Sequence, residues 1–259
     1  MPTFLFDKII FGPVISRRLG ISLGINLLPT GAKVCTFDCI YCECGWTTSR
    51  KDTGSRLPTR EEVRLRLEEK LTEMRYENQL PDVITFAGNG EPTMHPDFAG
   101  IIDDTIRLRD KFSPGARIAV LSNASLINRE KVFQALLRVD DNIQKLDSAF
   151  EDTVRLLDNP PPGYNLEKTV QKLAGFKGKV IIQTMFVRGT WKGLVVDNTT
   201  DREVDAWLEL IKEIQPEQVM IYTIARDTPV DTLSKVPEED LEKIAGIVRN
   251  AGFRVQVSA

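Results

Sequence analysis

Cys35-Thr36-Phe37-Asp38-Cys39-Ile40-Tyr41-Cys42 is the run that decides how the rest of this 259-residue chain is read. Cys44 follows two positions later, and the chain holds only these 4 cysteines. Three thiolates on one short loop can hold three irons of a cubane iron–sulfur cluster, leaving a fourth iron open to a ligand. Other readings fit the run less well. A disulfide needs an oxidising compartment, and the first residues carry no basic leader of a secretory signal. A structural zinc site usually takes two well-separated cysteine pairs, whereas all four thiols here fall within ten residues. Inert buried cysteines would be scattered over several elements. The loop is therefore read as an iron–sulfur site, with zinc second and Cys44 as a non-ligand.

Outward from this loop, short β-branched runs alternate with amphipathic stretches. Ile21 to Leu28 reads as a strand that leads straight into the cysteines. Thr59 to Tyr76 reads as a helix, with Thr59 and Glu62 forming a capping box and Val63, Leu67, Leu71 and Met74 at helical spacing. Strands are expected at Asp82–Ala87, Arg117–Leu121, Asn142–Leu146, Lys179–Phe186, Gln218–Tyr222 and Phe253–Val257. Helices are expected at Pro96–Phe112, Asn128–Arg138, Thr153–Leu157, Leu166–Phe176, Asp201–Ile214 and Glu238–Ala251. This order gives six right-handed βαβ units and a parallel sheet, with ligand chemistry at the carboxyl ends of the strands. Arg188 to Thr200 reads as a long loop, a lid or an insertion. One domain spans 1–259, with an extension over 1–20 and the sheet from about 21 onward.

Hydrophobic residues make up 42% of the chain, the net charge is −3 and the sequence pI is about 5.5. An acidic balance counts against a surface built on extensive phosphate contacts. Arg50, Lys51, Arg56 and Arg60, and the pair Arg17-Arg18, are the local exceptions, read either as solvated loop charge or as contacts to a phosphate or acidic partner. No apolar run approaches the length of a membrane span. Oxygen-sensitive thiols without an export signal point to the cytoplasm.

A second motif follows the second strand: Ala87-Gly88-Asn89-Gly90-Glu91-Pro92-Thr93. Its glycines let backbone approach a ligand closely, and Pro92 stiffens the turn. His95, the single histidine, closes it and reads as a packing or hydrogen-bonding residue. Further strand ends carry Leu121-Ser122-Asn123-Ala124-Ser125, which suits sugar hydroxyls or a helix cap, and Lys145-Leu146-Asp147, a lysine and an acid on one face.

Cysteines spaced C-x3-C-x2-C, with Tyr41 before the last, resemble the radical S-adenosylmethionine (radical SAM) superfamily. With Phe11 to Gly20, the Gly-x-Gly-Glu-Pro-Thr turn and Lys145-Leu146-Asp147, the chain resembles the branch that contains wyosine-type tRNA-modifying enzymes. It lacks the cysteines of their second cluster, which argues against their carbon–carbon bond chemistry. The resemblance implies an incomplete (β/α)6 TIM-like barrel. It implies a [4Fe-4S] cluster on Cys35, Cys39 and Cys42, with S-adenosylmethionine chelating the open iron. It places Tyr41, Asn89, Gly90, Glu91, Pro92, Ser122, Asn123, Lys145, Asp147 and the backbone at Val187 around that cofactor. It sets Thr223 and Arg226 toward the substrate, with Arg17 and Arg18 as further candidates. It implies reductive cleavage to a 5′-deoxyadenosyl radical, with an electron from a flavodoxin- or ferredoxin-like donor. The substrate is expected to be RNA or, in the manner of glycyl-radical activases, a protein or peptide. A non-enzymatic metal-binding module is the remaining reading.

Overall fold

The computed structural model describes residues 4–16, 18–48 and 56–259. Arg17, Arg50 and Lys51, named above as phosphate candidates, lie outside the described residues. The first elements are strands β1 (Ile10–Ser16) and β2 (Gly20–Ile25), then helix α1 (Arg60–Tyr76), strand β3 (Val83–Phe86) and helix α2 (Phe98–Phe112). Strand β4 (Arg117–Ser122), helix α3 (Glu130–Leu136), strand β5 (Asp141–Lys145) and helices α4 (Glu151–Asp158) and α5 (Leu166–Ala174) follow. Strands β6 (Ile181–Met185), β7 (Val187–Trp191) and β8 (Leu194–Asp197) precede helix α6 (Asp201–Ile214). The chain then runs through β9 (Gln218–Tyr222), β10 (Leu233–Lys235), α7 (Glu238–Asn250) and β11 (Val255–Ser258).

Eight strands form one sheet in the order β1-β2-β3-β4-β5-β6-β9-β11. All pairs are parallel except β1 with β2. Each parallel neighbour is reached through a helix, which requires the crossover that the alternating pattern implied. The sheet is the incomplete TIM-like barrel, open between its edge strands β1 and β11.

Two layers of apolar side chains hold it. Leu23, Ile25, Ile84, Phe86, Ile118, Val120, Ile182, Val219 and Ile221 face outward onto the helices. Alternate positions point inward, where Val83, Ala119, Ile143, Ile181 and Met220 fill the lower lumen. Helix α1 starts as read: Thr59 caps it and Glu62 reaches back to the Thr59 N–H at 2.7 Å. Val63, Leu67, Leu71 and Met74 are at most 1% exposed, so truncating any one to alanine should cost about 2–5 kcal/mol.

Within the N-terminal extension, residues 10–16 form strand β1, antiparallel to β2, with a register break between Phe11 and Val14. Gly12 and Pro13 sit at that break, where the ladder tolerates a missing donor. One expectation is corrected: Arg188 to Thr200 is not a long loop. It forms the hairpin β7–β8, which pairs with β10 as a separate three-stranded sheet. Lys192 and Gly193 both have positive φ, 52° and 77°, as a tight two-residue hairpin turn demands.

Candidate functional site

The cysteine loop follows β2 and is stitched to distant elements by backbone hydrogen bonds. Asp38 N–H donates to Asp158 O and Ile40 N–H to Leu157 O, both at 2.9 Å, at the end of α4. On the other side Val34 N–H donates to Asn89 O at 2.8 Å and forms a bridge with Gly90. Gly90 has φ 133°, and a Cβ there would lie 1.8 Å from the Val34 carbonyl oxygen. Glycine is therefore required where the Glu91 turn presses on the cysteine loop.

Glu91 is 2% exposed and sits between loops. One carboxylate oxygen accepts from Thr93 N–H at 3.0 Å and from its hydroxyl at 2.5 Å; the other accepts from Asn123 N–H at 2.7 Å. Burial raises the Glu91 pKa, and the Asn123 and Thr93 hydrogen bonds work against that rise. Asn123 in turn donates to Thr36 Oγ1 at 2.8 Å and reaches Cys35 Sγ at 3.5 Å. Glu91, Asn123, Thr36 and Cys35 thus form one chain of contacts across the ends of three strands. Ser122 accepts from Ala124 N–H at 3.1 Å, shaping this turn rather than capping a helix, since α3 begins only at Glu130.

Around the thiols the electrostatics are uneven. Burial pushes the Cys35 thiol up to about 12, with Glu91 adding to it, and pushes Cys39 up as well, with Asp158 adding to that. A hydrogen bond with the Cys44 thiol brings Cys42 down to about 6, helped by Lys33. Lys33 is 2% exposed and donates to Gly45 O at 2.9 Å. Burial acts against its charge, but Cys42, Cys39, Cys35 and Asp38 outweigh that and raise its pKa. One buried ammonium therefore feels all three thiols.

A second cation, its side chain 10% exposed, lies beside Tyr41. Lys145 Nζ is 2.7 Å from Asp147 and 3.5 Å from Asp158, and it contacts the Tyr41 hydroxyl. Tyr41 also reaches Asp158 at 2.9 Å and contacts Asp147. Burial pushes the Asp158 carboxyl up to about 7; Lys145 opposes this and Asp147 reinforces it. Burial lowers the Lys145 pKa, yet its two carboxylate neighbours carry it well above its ordinary value. The Lys145 ammonium is thus held charged by the acidic groups beside it.

The other predicted site residues have partners within the chain. The Asn89 side-chain amide donates to Phe6 O at 2.9 Å and Pro29 O at 2.8 Å, and its oxygen accepts from Phe6 N–H. The Val187 N–H is engaged by Asn198 Oδ1 at 2.9 Å. Thr223 accepts from Val236 N–H at 2.9 Å and is 1% exposed. Arg226 pairs with Glu43 at 2.9 Å, tying the end of β9 to the cysteine loop. Asp147 accepts from Met185 N–H at 3.0 Å as well as from Lys145, which makes it a strut of the site. Arg56 and Arg60 pair with Glu62 and Asp104. His95 donates through Nε2 to Pro58 O at 2.8 Å and accepts at Nδ1 from Asp97 N–H, a hydrogen-bonding residue as read. Lys33, Thr36, Asp158 and Asn198 were missed; Lys33, two residues before Cys35, and Thr36, inside the cysteine run, carried a signal in their positions.

The model of the radical SAM superfamily matches residues 31–211, from the cysteine loop into α6. This chain belongs to the radical SAM superfamily. It is 33% identical over 244 residues to a UPF0026 protein of Methanocaldococcus jannaschii, covering 92% of this chain and 70% of that protein. It is 30% identical over 243 residues to a Brachyspira hyodysenteriae protein described as GTPase Obg, covering 92% of this chain. The chain spans only 33% of that relative's length. Among solved structures, a radical SAM methyltransferase from Sphaerobacter thermophilus superposes with a TM-score of 0.67 at 14% identity, covering 92% of this chain and 65% of that one. That likeness is one of fold.

A radical SAM domain takes a [4Fe-4S] cluster and S-adenosylmethionine as its cofactors. The donor set fits that cluster: Cys35, Cys39 and Cys42 lie on one loop, partly to fully buried, and a cubane takes one thiolate at each of several separate corners. Cys35 and Cys42, each partly buried, pack against the apolar group of Phe37, Cys39, Ile40 and Tyr41.

Proposed function

We propose that this radical SAM chain is an enzyme that cleaves S-adenosylmethionine reductively and uses the product to abstract hydrogen from a substrate held in the barrel lumen. The observation that carries the reading is the contact chain from Cys35 through Thr36 and Asn123 to Glu91, which fastens the cysteine loop to the Glu-Pro turn at the strands' carboxyl ends. Cys35, Cys39 and Cys42 would hold the cluster, and Lys33 and Lys145 would offset its thiolate charge. The Glu91 turn, Ser122 and Asn123 would line the cofactor's place. When bound, the two cofactors supply the electron transfer and sulfonium cleavage that yield a 5′-deoxyadenosyl radical. A flavodoxin- or ferredoxin-like protein would deliver the electron.

RNA is the first substrate reading, supported by the wyosine-like pattern of motifs. Arg56 and Arg60 add less to it, because each has a carboxylate partner. The acidic sequence pI of about 5.5 supports the second reading, a protein or peptide substrate. Binding to a single-stranded oligoribonucleotide and to total cellular peptide, measured at rising salt, separates them. RNA affinity that falls steeply with salt supports the first. Salt-insensitive peptide binding without RNA binding supports the second.

A further inference from the structure

Arg18 rises from the β1–β2 turn into the barrel lumen. Its neighbour Leu19 packs on the inward layer of Val83, Ala119, Ile143, Ile181 and Met220 that closes the lower lumen. The Arg18 guanidinium lies 4.5 Å from the centre of the Tyr222 ring, and Nη1 donates to Gln183 Oε1 at 3.2 Å. Gln183 and Tyr222 are each two residues beyond members of that inward layer, Ile181 and Met220, so they share its face one step nearer the cysteines. Gln256 on the far edge strand donates to the Arg18 carbonyl at 3.0 Å, so the turn is held across the open side of the sheet.

This guanidinium differs from the other arginines at the site. Among the described residues no carboxylate lies within ion-pair distance of it, whereas Arg56, Arg60, Arg188 and Arg226 are all paired. One of its five N–H donors is in use in the described contacts. Arg18 itself is half-buried, and among the described residues the buried side-chain atoms lacking a partner are Asn26 Nδ2 and Gln144 Oε1, neither of them on Arg18. A charged, forked donor set with one face on an aromatic ring and the rest open is suited to bidentate capture of an oxyanion.

We propose that Arg18, positioned by Gln183 and Tyr222, is the floor of the substrate chamber and binds an oxyanion of the substrate, a phosphate or a carboxylate. The assignment rests on the enzymatic reading above. The test uses reconstituted holoprotein saturated with S-adenosylmethionine and no reductant, titrated by calorimetry with inorganic phosphate and, separately, with acetate. Saturable binding by wild type should weaken about tenfold or more in Arg18→Ala and remain intermediate in Arg18→Lys, which keeps the charge but loses the fork. If Arg18→Ala fails to fold, Arg18→Gln carries the comparison. Preference for phosphate assigns a phosphate ester, and preference for acetate a carboxylate. No saturable site in wild type, or equal binding by the variants, overturns the assignment. Release of 5′-deoxyadenosine by wild type under dithionite is measured beside it. Its absence overturns the enzymatic reading and the assignment with it; its presence with no oxyanion site removes the assignment alone.

Discussion

Gly90 and Val34 lie so close that a Cβ on Gly90 would stand 1.8 Å from the Val34 carbonyl oxygen. Two motifs separated by one helix meet there with no room for a methyl group. Gly90→Ala should therefore separate the Glu91 turn from the cysteine loop. The φ of 133° adds strain for any L side chain, so the loss should be at least about 2 kcal/mol. Chemical denaturation and iron content after reconstitution should both fall; an unchanged iron content would mean the loop does not depend on this contact.

Glu91→Gln should leave cluster loading in place and weaken S-adenosylmethionine binding about tenfold or more. The amide still accepts one of the hydrogen bonds that Thr93 and Asn123 donate, so the turn is kept while the charge is lost. Equilibrium dialysis with labelled cofactor measures this, and an unaltered affinity would remove Glu91 from the cofactor site.

Lys145→Met removes the ammonium between Asp147 and Asp158, leaving Asp147, which is 2% exposed, without its cation. The cost should be about 3–5 kcal/mol. Lys145→Met combined with Asp147→Asn should recover part of that loss, because the asparagine oxygen can still accept from Met185 N–H. Strict additivity of the two substitutions in urea unfolding would show that the pair does not act as a unit.

Asp104 gives a pH-dependent prediction. Arg60 holds it with two hydrogen bonds, at 2.6 and 3.0 Å, and draws its pKa below the ordinary carboxylate value against the effect of burial. A depressed folded-state pKa contributes stability that is present above the unfolded value of about 3.9 and lost as pH falls through the folded value. Asp104→Asn should therefore destabilise the fold by about 1–2 kcal/mol at pH 7, and the gap should narrow below about pH 4. A constant gap from pH 7 to pH 3 would contradict the ion pair.

What could be read from the chain alone divides along physical lines. The βα alternation, the Thr59 cap and the cysteine and Glu-Pro motifs are local, so spacing and turn chemistry reported them. Strand β1 was missed because Gly12 and Pro13 interrupt the pattern that marks a strand, and only the bulge against β2 accommodates them. The β7–β8 hairpin was missed because its turn, Lys192-Gly193, is an uncommon signal and Leu194 and Val195 are largely exposed. Asp158 joins Lys145 and Tyr41 across 117 residues from Tyr41, and no local pattern announces such a contact. Asn89 and Thr223 each stand in a motif, and the intrachain backbone contact that each side chain makes is likewise announced by no local pattern.

The most direct test of the central claim is anaerobic iron and sulfide content together with 5′-deoxyadenosine release under dithionite, in wild type and in Cys39→Ala. Wild type should hold about four irons per chain and release 5′-deoxyadenosine, and Cys39→Ala should lose both together. Bound zinc in place of iron with no 5′-deoxyadenosine, or cleavage that survives Cys39→Ala, would contradict it.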